Sequence, residues 1–396
     1  MKKTFDEVVL FARTGLNPRQ NFKLGQGKNK YITIKNIKNN TLVVDDNTDV
    51  VDDDAIKLIH KRSQIKKGDI LFASIGRMGD MYIIEKEPVG WDINESVFAF
   101  TLNTNIVRQK YFYYIFKVKS TLDYLASNSS GSTFKSIKMN QLKRMVFDIP
   151  SLKEQDSIIT ILDKVCNVIE MRKRELGSLD ELIKARFVEL FGDLANPKCQ
   201  WKKEKLVDAC KNPDDIKCGP FGTQLSKDEY CSSGVAVWEI SQINSGFATQ
   251  PTHFLTDEKA NQLEVYSIKS GDIAMSRKGN VGRCAVFPET MEDGIIHSDI
   301  LRIRVNNDLV LPVFMMYQLH YSRAVQHQIE LVSSGAIMAG INVTKLKQIE
   351  VHIPPLKLQQ QFDAFVAEVD KSKVAIQAAL DKSQLLFDSL MQKYFG

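Results

Sequence analysis

The sequence predicts an α+β protein of two tandem α/β domains, joined and separated by two long helices that form an antiparallel coiled coil with pseudo-twofold symmetry. Three observations lead to this fold class. The chain of 396 residues repeats its motifs at an interval of 203 to 204 residues. Each copy begins with short β-branched and aromatic runs, which are typical of strands. Each copy ends in a long segment with a seven-residue apolar period, which is typical of paired helices.

The repeated motifs occur in the same order in both copies. Their interval is too long for a solenoid, whose units run to roughly 20–50 residues, so it indicates two copies of one domain. We therefore predict a domain at 1–150, a helix at 151–192, a second domain at 193–352 and a second helix at 353–396. The matched motifs are Gly68-Asp69-Ile70 with Gly271-Asp272-Ile273, Gly76 and Gly79 with Gly279 and Gly282, Gly131 with Gly335, Ile149-Pro150 with Ile353-Pro354, Gln155 with Gln359, and Phe191-Gly192 with Phe395-Gly396.

Each domain is predicted to be a mixed α/β globule. Strand signals occur in matched pairs, and some follow a glycine, as strands that leave turns do. A helical stretch follows them in each copy, at about 109–126 and 312–331. The predicted strands include 31–34, 69–72 and 97–100 in the first copy and 235–238, 272–275 and 300–303 in the second.

The long helices are predicted at about 152–190 and 356–394. A Ser151-x-x-Glu154 capping box opens the first, and Pro354-Pro355 precedes the second. The alternative to a coiled coil is a single amphipathic helix packed on its own domain. We predict that the helices pair with each other, which would place the two domains at opposite ends of a spacer. The seam residues are Leu162, Ile169, Leu176, Ile183 and Leu190 in the first helix and Phe362, Val369, Ile376, Phe387 and Leu390 in the second.

Composition bounds the class of partner and the compartment. The net charge of +5 and the pI near 8.7 would suit a polyanion, but many proteins reach such values without one. The six cysteines form no C-x-x-C pair, so we interpret them as free thiols. No apolar run approaches the roughly 18 residues of a membrane span, and we predict a cytoplasmic protein. The run at 45–54, with six aspartates in ten residues, is predicted to be a solvated loop away from any DNA.

Motifs for catalysis are weak. Asn196-Pro197-Lys198-Cys199 lacks the second proline and the aromatic residue of an amide-binding methyltransferase motif, and no Walker A sequence occurs. Pro213-Asp214 with Asp257-Glu258-Lys259 could be drawn as a PD…(D/E)xK nuclease, but the first copy has no counterpart. The Asp257 segment is predicted to be a turn. We therefore predict no catalytic residue, no metal site and no cofactor bound by this chain.

Two pairs of loops at equivalent positions carry polar and basic side chains. The first pair is 74–80 and 276–283, and the second is 127–135 and 333–338. Arg and Lys can neutralise phosphates, and Arg, Asn and Ser can bond with base edges. The alternative is a glycine-bearing hairpin with solvated charges. The candidate DNA-binding residues are Ser74, Arg77, Ser130, Ser132, Lys135, Ser276, Arg277, Lys278, Asn280, Arg283 and Ser334.

Taken together and in this order, the motifs resemble those of the specificity (S) subunit of type I restriction–modification systems. The resemblance is carried by the tandem plan and by Gly-Asp-Ile followed by two spaced glycines. It is also carried by Ser-Gly before a basic stretch and Ile-Pro, and by Pro-x-Leu-x-x-Gln at the start of each long helix. It covers the whole chain, including the ending at 388–396.

The resemblance implies that each globule is a target recognition domain for one half of a split sequence in double-stranded DNA. It implies that the helices separate the two halves and dock two methyltransferase (M) subunits, and that this chain is not itself an enzyme. S-adenosylmethionine, ATP and Mg²⁺ would be used by the partner M and restriction (R) subunits. Two alternatives from other classes are a coiled-coil scaffold that binds no DNA and a stand-alone nuclease or methyltransferase.

Overall fold

A computed structural model of the chain describes residues 1–38, 41–131, 134–196, 198–333 and 340–396. The chain divides into two compact units. Unit 1 is Met1–Lys173 with Ala378–Gly396, and unit 2 is Arg174–Gln377. Each unit therefore holds one globular part together with portions of both long helices, whereas the sequence predicted the helices as separate segments.

The globular part of unit 1 is a mixture of short strands and helices. They are β1 (Lys2–Thr4), α1 (Phe5–Val8), β2 (Val9–Thr14), β3 (Asn29–Ile32), β4 (Ile37–Lys38), β5 (Thr41–Leu42), β6 (Val50–Val51), α2 (Asp53–Ser63), β7 (Ile70–Ala73), β8 (Met81–Ile83), β9 (Trp91–Ile93), β10 (Val97–Leu102), α3 (Gln109–Ile115), α4 (Lys119–Ser127), α5 (Met139–Leu142) and β11 (Val146–Asp148). The long helix α6 (Leu152–Phe191) begins in this unit and ends in unit 2.

The globular part of unit 2 contains β12 (Lys202–Lys205), β13 (Ile216–Cys218), β14 (Val235–Trp238), α7 (Ile240–Asn244), β15 (His253–Leu255), α8 (Asp257–Gln262), β16 (Ser267–Ile268), β17 (Ile273–Ser276), β18 (Cys284–Val286), β19 (Gly294–Ile296), β20 (Ile300–Ile303), α9 (Pro312–Tyr321), α10 (Arg323–Val332), α11 (Val343–Lys347) and β21 (Glu350–Ile353). The second long helix, α12 (Leu356–Phe395), begins in unit 2 and ends in unit 1.

The two units share one sheet topology. The antiparallel sheet β2-β10-β7-β8 of unit 1 corresponds to β13-β20-β17-β18 of unit 2. A second sheet in each unit contains a parallel pair, β3 with β9 in unit 1 and β14 with β19 in unit 2. A two-stranded ribbon, β1 with β11 or β12 with β21, leads directly into a long helix. The duplication read from the sequence is thus a duplication of topology.

Aromatic packing builds the main core of unit 1. Phe72 on β7 and Phe100 on β10 lie against Phe112 and Phe116 at the end of α3, with all four side chains buried. The ring centroids are 5.5 Å apart for Phe72 and Phe116 and 5.0 Å apart for Phe112 and Phe116. This packing fixes the end of α3 on the sheet.

Each of the helical stretches predicted at about 109–126 and 312–331 consists of two helices. The first is divided into α3 and α4 and the second into α9 and α10. Extended backbone at Val118 and at Ser322 separates the two helices of each pair. The breaks let the second helix of each pair bury its own apolar residues, such as Leu125 and Ile329.

The long helices pair in an antiparallel manner. In unit 2, the Asp180 carboxylate of α6 lies 2.7 Å from the Lys373 ammonium of α12. Two turns further along α6, the rings of Phe187 and Phe362 lie 5.4 Å apart. Residue numbers therefore increase along α6 in the direction in which they decrease along α12. In unit 1, Leu162 of α6 lies in one buried cluster with Met391 of α12.

The ten predicted seam residues all lie on the shielded side of their helices. Charged residues that interrupt the seam have partners at its edge. Arg186 donates to Glu189 at 2.8 Å and lies over the Phe365 ring. Five of the seam residues are buried, namely Leu162, Ile169, Ile183, Phe362 and Val369. The other five are half-buried, namely Leu176, Leu190, Ile376, Phe387 and Leu390.

A buried glutamine fastens the start of each long helix to its globule. The Gln155 side chain accepts from the Arg108 amide at 2.8 Å and donates to the carbonyls of Ile106 and Pro150 at 2.8 and 2.9 Å. The Gln359 side chain repeats this arrangement. It accepts from the Leu311 amide at 2.7 Å and donates to the carbonyls of Leu309 and Pro354. The amide thereby satisfies three backbone groups in the interior of each unit.

The end of the other helix completes each unit. Phe191 at the end of α6 lies 4.6 Å from the Phe314 ring of α9. Phe395 at the end of α12 lies 5.0 Å from the Tyr111 ring of α3. The repeated Phe-Gly motif is therefore a packing element.

We expect Gln359→Ala to lower the free energy of unfolding by about 3 kcal/mol, because it leaves three buried backbone groups without a partner. Gln360→Ala is the matched control, since Gln360 is the exposed neighbour on the same helix. Urea unfolding followed by circular dichroism measures both variants. Equal stability of the two would contradict a fastening role for Gln359.

Candidate nucleic-acid interface

A buried aspartate sets the turn before β7 and the turn before β17. Gly68 and Gly271 adopt φ of +88° and +83°, where side chains are rarely tolerated. The Asp69 carboxylate accepts from the Lys66 amide at 3.1 Å, and the Asp272 carboxylate accepts from the Lys269 amide at 2.8 Å. The Gly-Asp-Ile motif therefore shapes the backbone that leads into the candidate loops.

The buried charge of each aspartate is compensated by an arginine. Arg13 on β2 lies 2.8 Å from Asp69, and Thr101 donates to the same carboxylate at 2.6 Å. Arg304, just after β20, makes a bidentate pair with Asp272 at 2.7 and 2.6 Å. Side-chain bonding by Asp272 raises the pKa of the Arg304 guanidinium, which keeps the pair ionised.

Paired glycines then form the loop after β7 and the loop after β17. Gly76 and Gly79 have φ of +71° and +90°, and Gly279 and Gly282 have φ of +69° and +87°. A Cβ at Gly282 would also meet Ile329 at 3.3 Å. The spaced glycines of the two copies thus have the same conformational role.

The two predicted loops of unit 1 come together on one surface. In unit 1, Gly76 N donates to Lys135 O at 3.0 Å, and Ile137 N donates to Ser74 O at 2.9 Å. In unit 2, the segment beyond the second predicted loop meets the first loop, since Ile341 N donates to Arg277 O at 3.1 Å. Of the second loop itself, only Ser333 lies within the described residues.

In unit 1, three candidate side chains lie on this surface. Arg77 is exposed and donates to Ile37 O at 2.9 Å, with Asp80 at 3.5 Å. Ser130 and Lys135 are exposed on the second loop. Ser132 lies outside the described residues.

In unit 2, three candidate side chains are exposed. Lys278 lies 2.7 Å from the Asp299 carboxylate, and Arg283 donates to Asn244 O at 2.7 Å. Asn280 is exposed between them in sequence. Ser334 lies outside the described residues.

Three further candidate DNA-binding residues bond to groups within their own unit. Ser74 is buried and donates to Ser96 O at 2.7 Å, and Ser276 is buried and donates to Lys278 O at 2.9 Å. Both hydroxyls are therefore used inside the protein. The half-buried Arg277 guanidinium donates to Cys218 Sγ at 3.0 Å and to Ser298 O at 3.3 Å.

Sequence reasoning missed Phe221, which follows β13 and is 54% exposed. The Arg277 guanidinium lies 5.3 Å from its ring centroid. The signal that could have identified it is the Gly219-Pro220-Phe221-Gly222 run, which presents an aromatic side chain from a tight turn.

The other segments considered for chemistry have structural partners. Asp257 opens helix α8, so the predicted turn there is wrong, and Lys259 pairs with Glu229 at 2.6 Å. In the acidic run, Asp52 caps α2 by accepting from the amides of Asp54 and Ala55.

Burial raises the pKa of the Cys284 thiol to about 12, which keeps it protonated. Within the described ranges, no cluster of three metal-ligating side chains occurs, and no helix is long and apolar enough to cross a bilayer.

Comparison with known proteins identifies one family. The family model described as "Type I restriction modification DNA specificity domain" matches residues 1–180 and 201–383. A Haemophilus influenzae protein named type I restriction enzyme specificity subunit S.HindORF215P is 33% identical over 296 residues, covering 73% of this chain and 70% of that protein. The MjaIX specificity subunit of Methanocaldococcus jannaschii is 22% identical over 352 residues, covering 83% and 76%.

Solved structures agree on the fold. The crystal structure of the type I restriction–modification S subunit from M. genitalium aligns with a TM-score of 0.57 at 16% identity. The alignment covers 100% of this chain and 96% of that one. At this identity the likeness concerns the fold alone.

We expect Arg277→Ala to lower the free energy of unfolding by about 1–2 kcal/mol, because it removes the bonds to Cys218 and Ser298 from a half-buried site. Lys278→Ala should change it by less than about 1 kcal/mol, since its ion pair with Asp299 is partly exposed to solvent. Urea unfolding of the two variants distinguishes a supporting arginine from a surface lysine. A larger loss for Lys278→Ala would contradict this assignment.

Proposed function

Because this chain belongs to the type I restriction–modification DNA specificity family, we propose that it is the sequence-specific DNA-binding subunit of a type I restriction–modification complex. Unit 1 recognises one half of a bipartite site and unit 2 recognises the other. The chain supplies recognition, and methyl transfer and cleavage belong to partner M and R subunits.

One observation carries this proposal. The two units share sheet topology and loop backbone but carry different side chains at equivalent loop positions. Ile75, Arg77 and Asp80 of unit 1 correspond to Lys278, Asn280 and Arg283 of unit 2. A shared framework with divergent side chains is the arrangement expected of two modules that recognise different base sequences.

The exposed cations supply the electrostatic part of DNA binding. Arg77 and Lys135 in unit 1, and Lys278 and Arg283 in unit 2, lie on the loop surfaces. Their neutralisation of phosphates would release counterions, so affinity should fall steeply with salt.

Partner docking is supported by apolar residues on the outward sides of the long helices. Leu182 on α6 and Leu386 on α12 occupy equivalent positions in the repeat, and their exposed fractions are 47% and 51%. The seam residues are shielded, so they support docking only by holding the helices together. Two equivalent apolar positions suit two copies of one M subunit.

Because the partner subunits carry out the reactions in this proposal, they also bind the cofactors. S-adenosylmethionine is used by the M subunits, and ATP with Mg²⁺ by the R subunits. The purified chain, given DNA, Mg²⁺ and S-adenosylmethionine, should neither methylate nor cleave. Activity of the chain alone would favour a stand-alone enzyme.

We expect the triple variant Lys278→Ala, Asn280→Ala and Arg283→Ala to weaken DNA binding by the complex with M at least tenfold. The physical reason is the loss of two phosphate-neutralising cations and a base-edge donor from unit 2. Methylome sequencing of cells that express the chain with its M subunit first identifies the bipartite site. Gel shifts on that duplex, from 50 to 200 mM salt, then measure affinity.

Glu289→Ala and Glu292→Ala serve as the control, since both are exposed side chains of unit 2 outside the loops. Absence of any sequence-selective binding by the wild-type complex would contradict the proposed function. A triple variant with unchanged affinity would favour a scaffold that does not contact DNA through these loops.

We expect Leu182→Asp with Leu386→Asp to abolish assembly with M while the chain remains folded. Ile183→Asp, one residue away but with only 1% of its surface exposed, should instead unfold unit 2. Size-exclusion chromatography with M reports assembly, and circular dichroism reports folding. Normal assembly of the double variant would place docking elsewhere.

A further inference from the structure

The loop that follows β13 is held rigidly. A Cβ at Gly219 would lie 2.3 Å from His297 O and 2.4 Å from Ile296 O, so only glycine fits. Gly219 N donates to Ile300 O at 3.1 Å, and Gln224 N donates to Phe221 O at 2.7 Å. These bonds fix the backbone on both sides of Phe221.

The loop is also fixed by side chains. The Gln224 carbonyl oxygen accepts from the Phe221 amide at 3.2 Å and from the Tyr266 hydroxyl at 3.0 Å. Leu225, next in sequence, is buried. A rigid loop presents its side chain with little loss of conformational entropy on binding.

Phe221 is nevertheless more than half exposed. The Arg277 guanidinium supports its ring from 5.3 Å and is itself held by Cys218 and Ser298. Arg277 is part of the loop that carries Lys278 and Asn280. The aromatic ring therefore lies against the loop that would contact a DNA backbone.

The other unit has an equivalent tightly packed glycine with different side chains after it. Gly15 of unit 1 is the counterpart of Gly219, and a Cβ there would overlap Ile93 O at 1.7 Å. At the position of Phe221, unit 1 has Asn17, and at the position of Arg277 it has Ser74. The Asn21 side-chain amide donates to the Asn17 backbone carbonyl at 2.9 Å and to the Asn17 side-chain oxygen at 3.3 Å. The aromatic side chain and its support are thus replaced together.

We infer that Phe221 is a specificity-determining residue of unit 2, which contacts a base of that unit's half-site through its ring. Arg277 is its positioning residue. The inference rests on the proposed function. Aromatic rings contact bases by stacking or by packing on the thymine methyl group, and either contact discriminates between sequences. Because unit 1 has Asn17 and Ser74 at the equivalent positions, this contact would differ between the two half-sites.

The test uses the full chain in complex with its M subunit and the duplex identified by methylome sequencing. Phe221→Ala should weaken binding to this duplex about tenfold, a typical effect of removing an aromatic contact with a base. It should also relax the methylome preference at one base in the half-site of unit 2 and leave the other half-site unchanged. Phe221→Tyr should retain both properties, and Phe221→Asn should lose them.

Phe11→Ala is the matched control. Phe11 is 58% exposed and lies beside Arg13 at 5.9 Å, but it belongs to strand β2 and not to the loops. It should leave both half-sites unchanged. If Phe221→Ala keeps wild-type affinity and base preference while the wild-type complex binds its bipartite site, the inference fails and the proposed function stands. If the wild-type complex binds no preferred sequence, the proposed function itself fails.

Discussion

The antiparallel pairing of α6 with α12 is the constraint on which both units depend. Because the helices run in opposite directions, each unit receives the start of one helix and the end of the other. The start is fastened by a buried amide, Gln155 or Gln359, and the end is packed by a terminal aromatic residue, Phe395 or Phe191. Neither globule is completed by consecutive sequence alone, so each unit needs a segment from both long helices.

The parts of the fold that could be predicted are those with local signals. The heptad pattern and the Ser151 capping box predicted α6 to within one residue of its observed end. The breaks at Val118 and Ser322 could not be predicted, because no proline or glycine marks them. They arise where the second helix must turn to bury Leu125 or Ile329, which is a tertiary requirement.

The candidate site was predictable as a surface but less so as a set of side chains. Repetition of Gly76 and Gly79 as Gly279 and Gly282 located the loops, because positive φ leaves a clear sequence signature. The direction of each side chain depends on neighbours distant in sequence. Arg277 points into unit 2 because it donates to Cys218 and Ser298, and Ser74 points into unit 1 because it donates to Ser96. Phe221 could not be identified by the same criterion, because the candidate loops were selected for basic side chains and residues 219–226 carry none.

The buried aspartates have a consequence for how such a gene can recombine. Asp69 is balanced by Arg13 on β2, whereas Asp272 is balanced by Arg304 beyond β20. The equivalent of Arg13 in unit 2 is Lys217, which lies over the Tyr266 ring, and the equivalent of Arg304 in unit 1 is Thr101. Recombination between the two copies, with a crossover inside this sheet, would yield one hybrid domain with both arginines beside a single aspartate. The reciprocal hybrid would have neither arginine beside its aspartate. An uncompensated buried charge costs about 3–5 kcal/mol, so viable exchanges between the copies should preserve whole sheets.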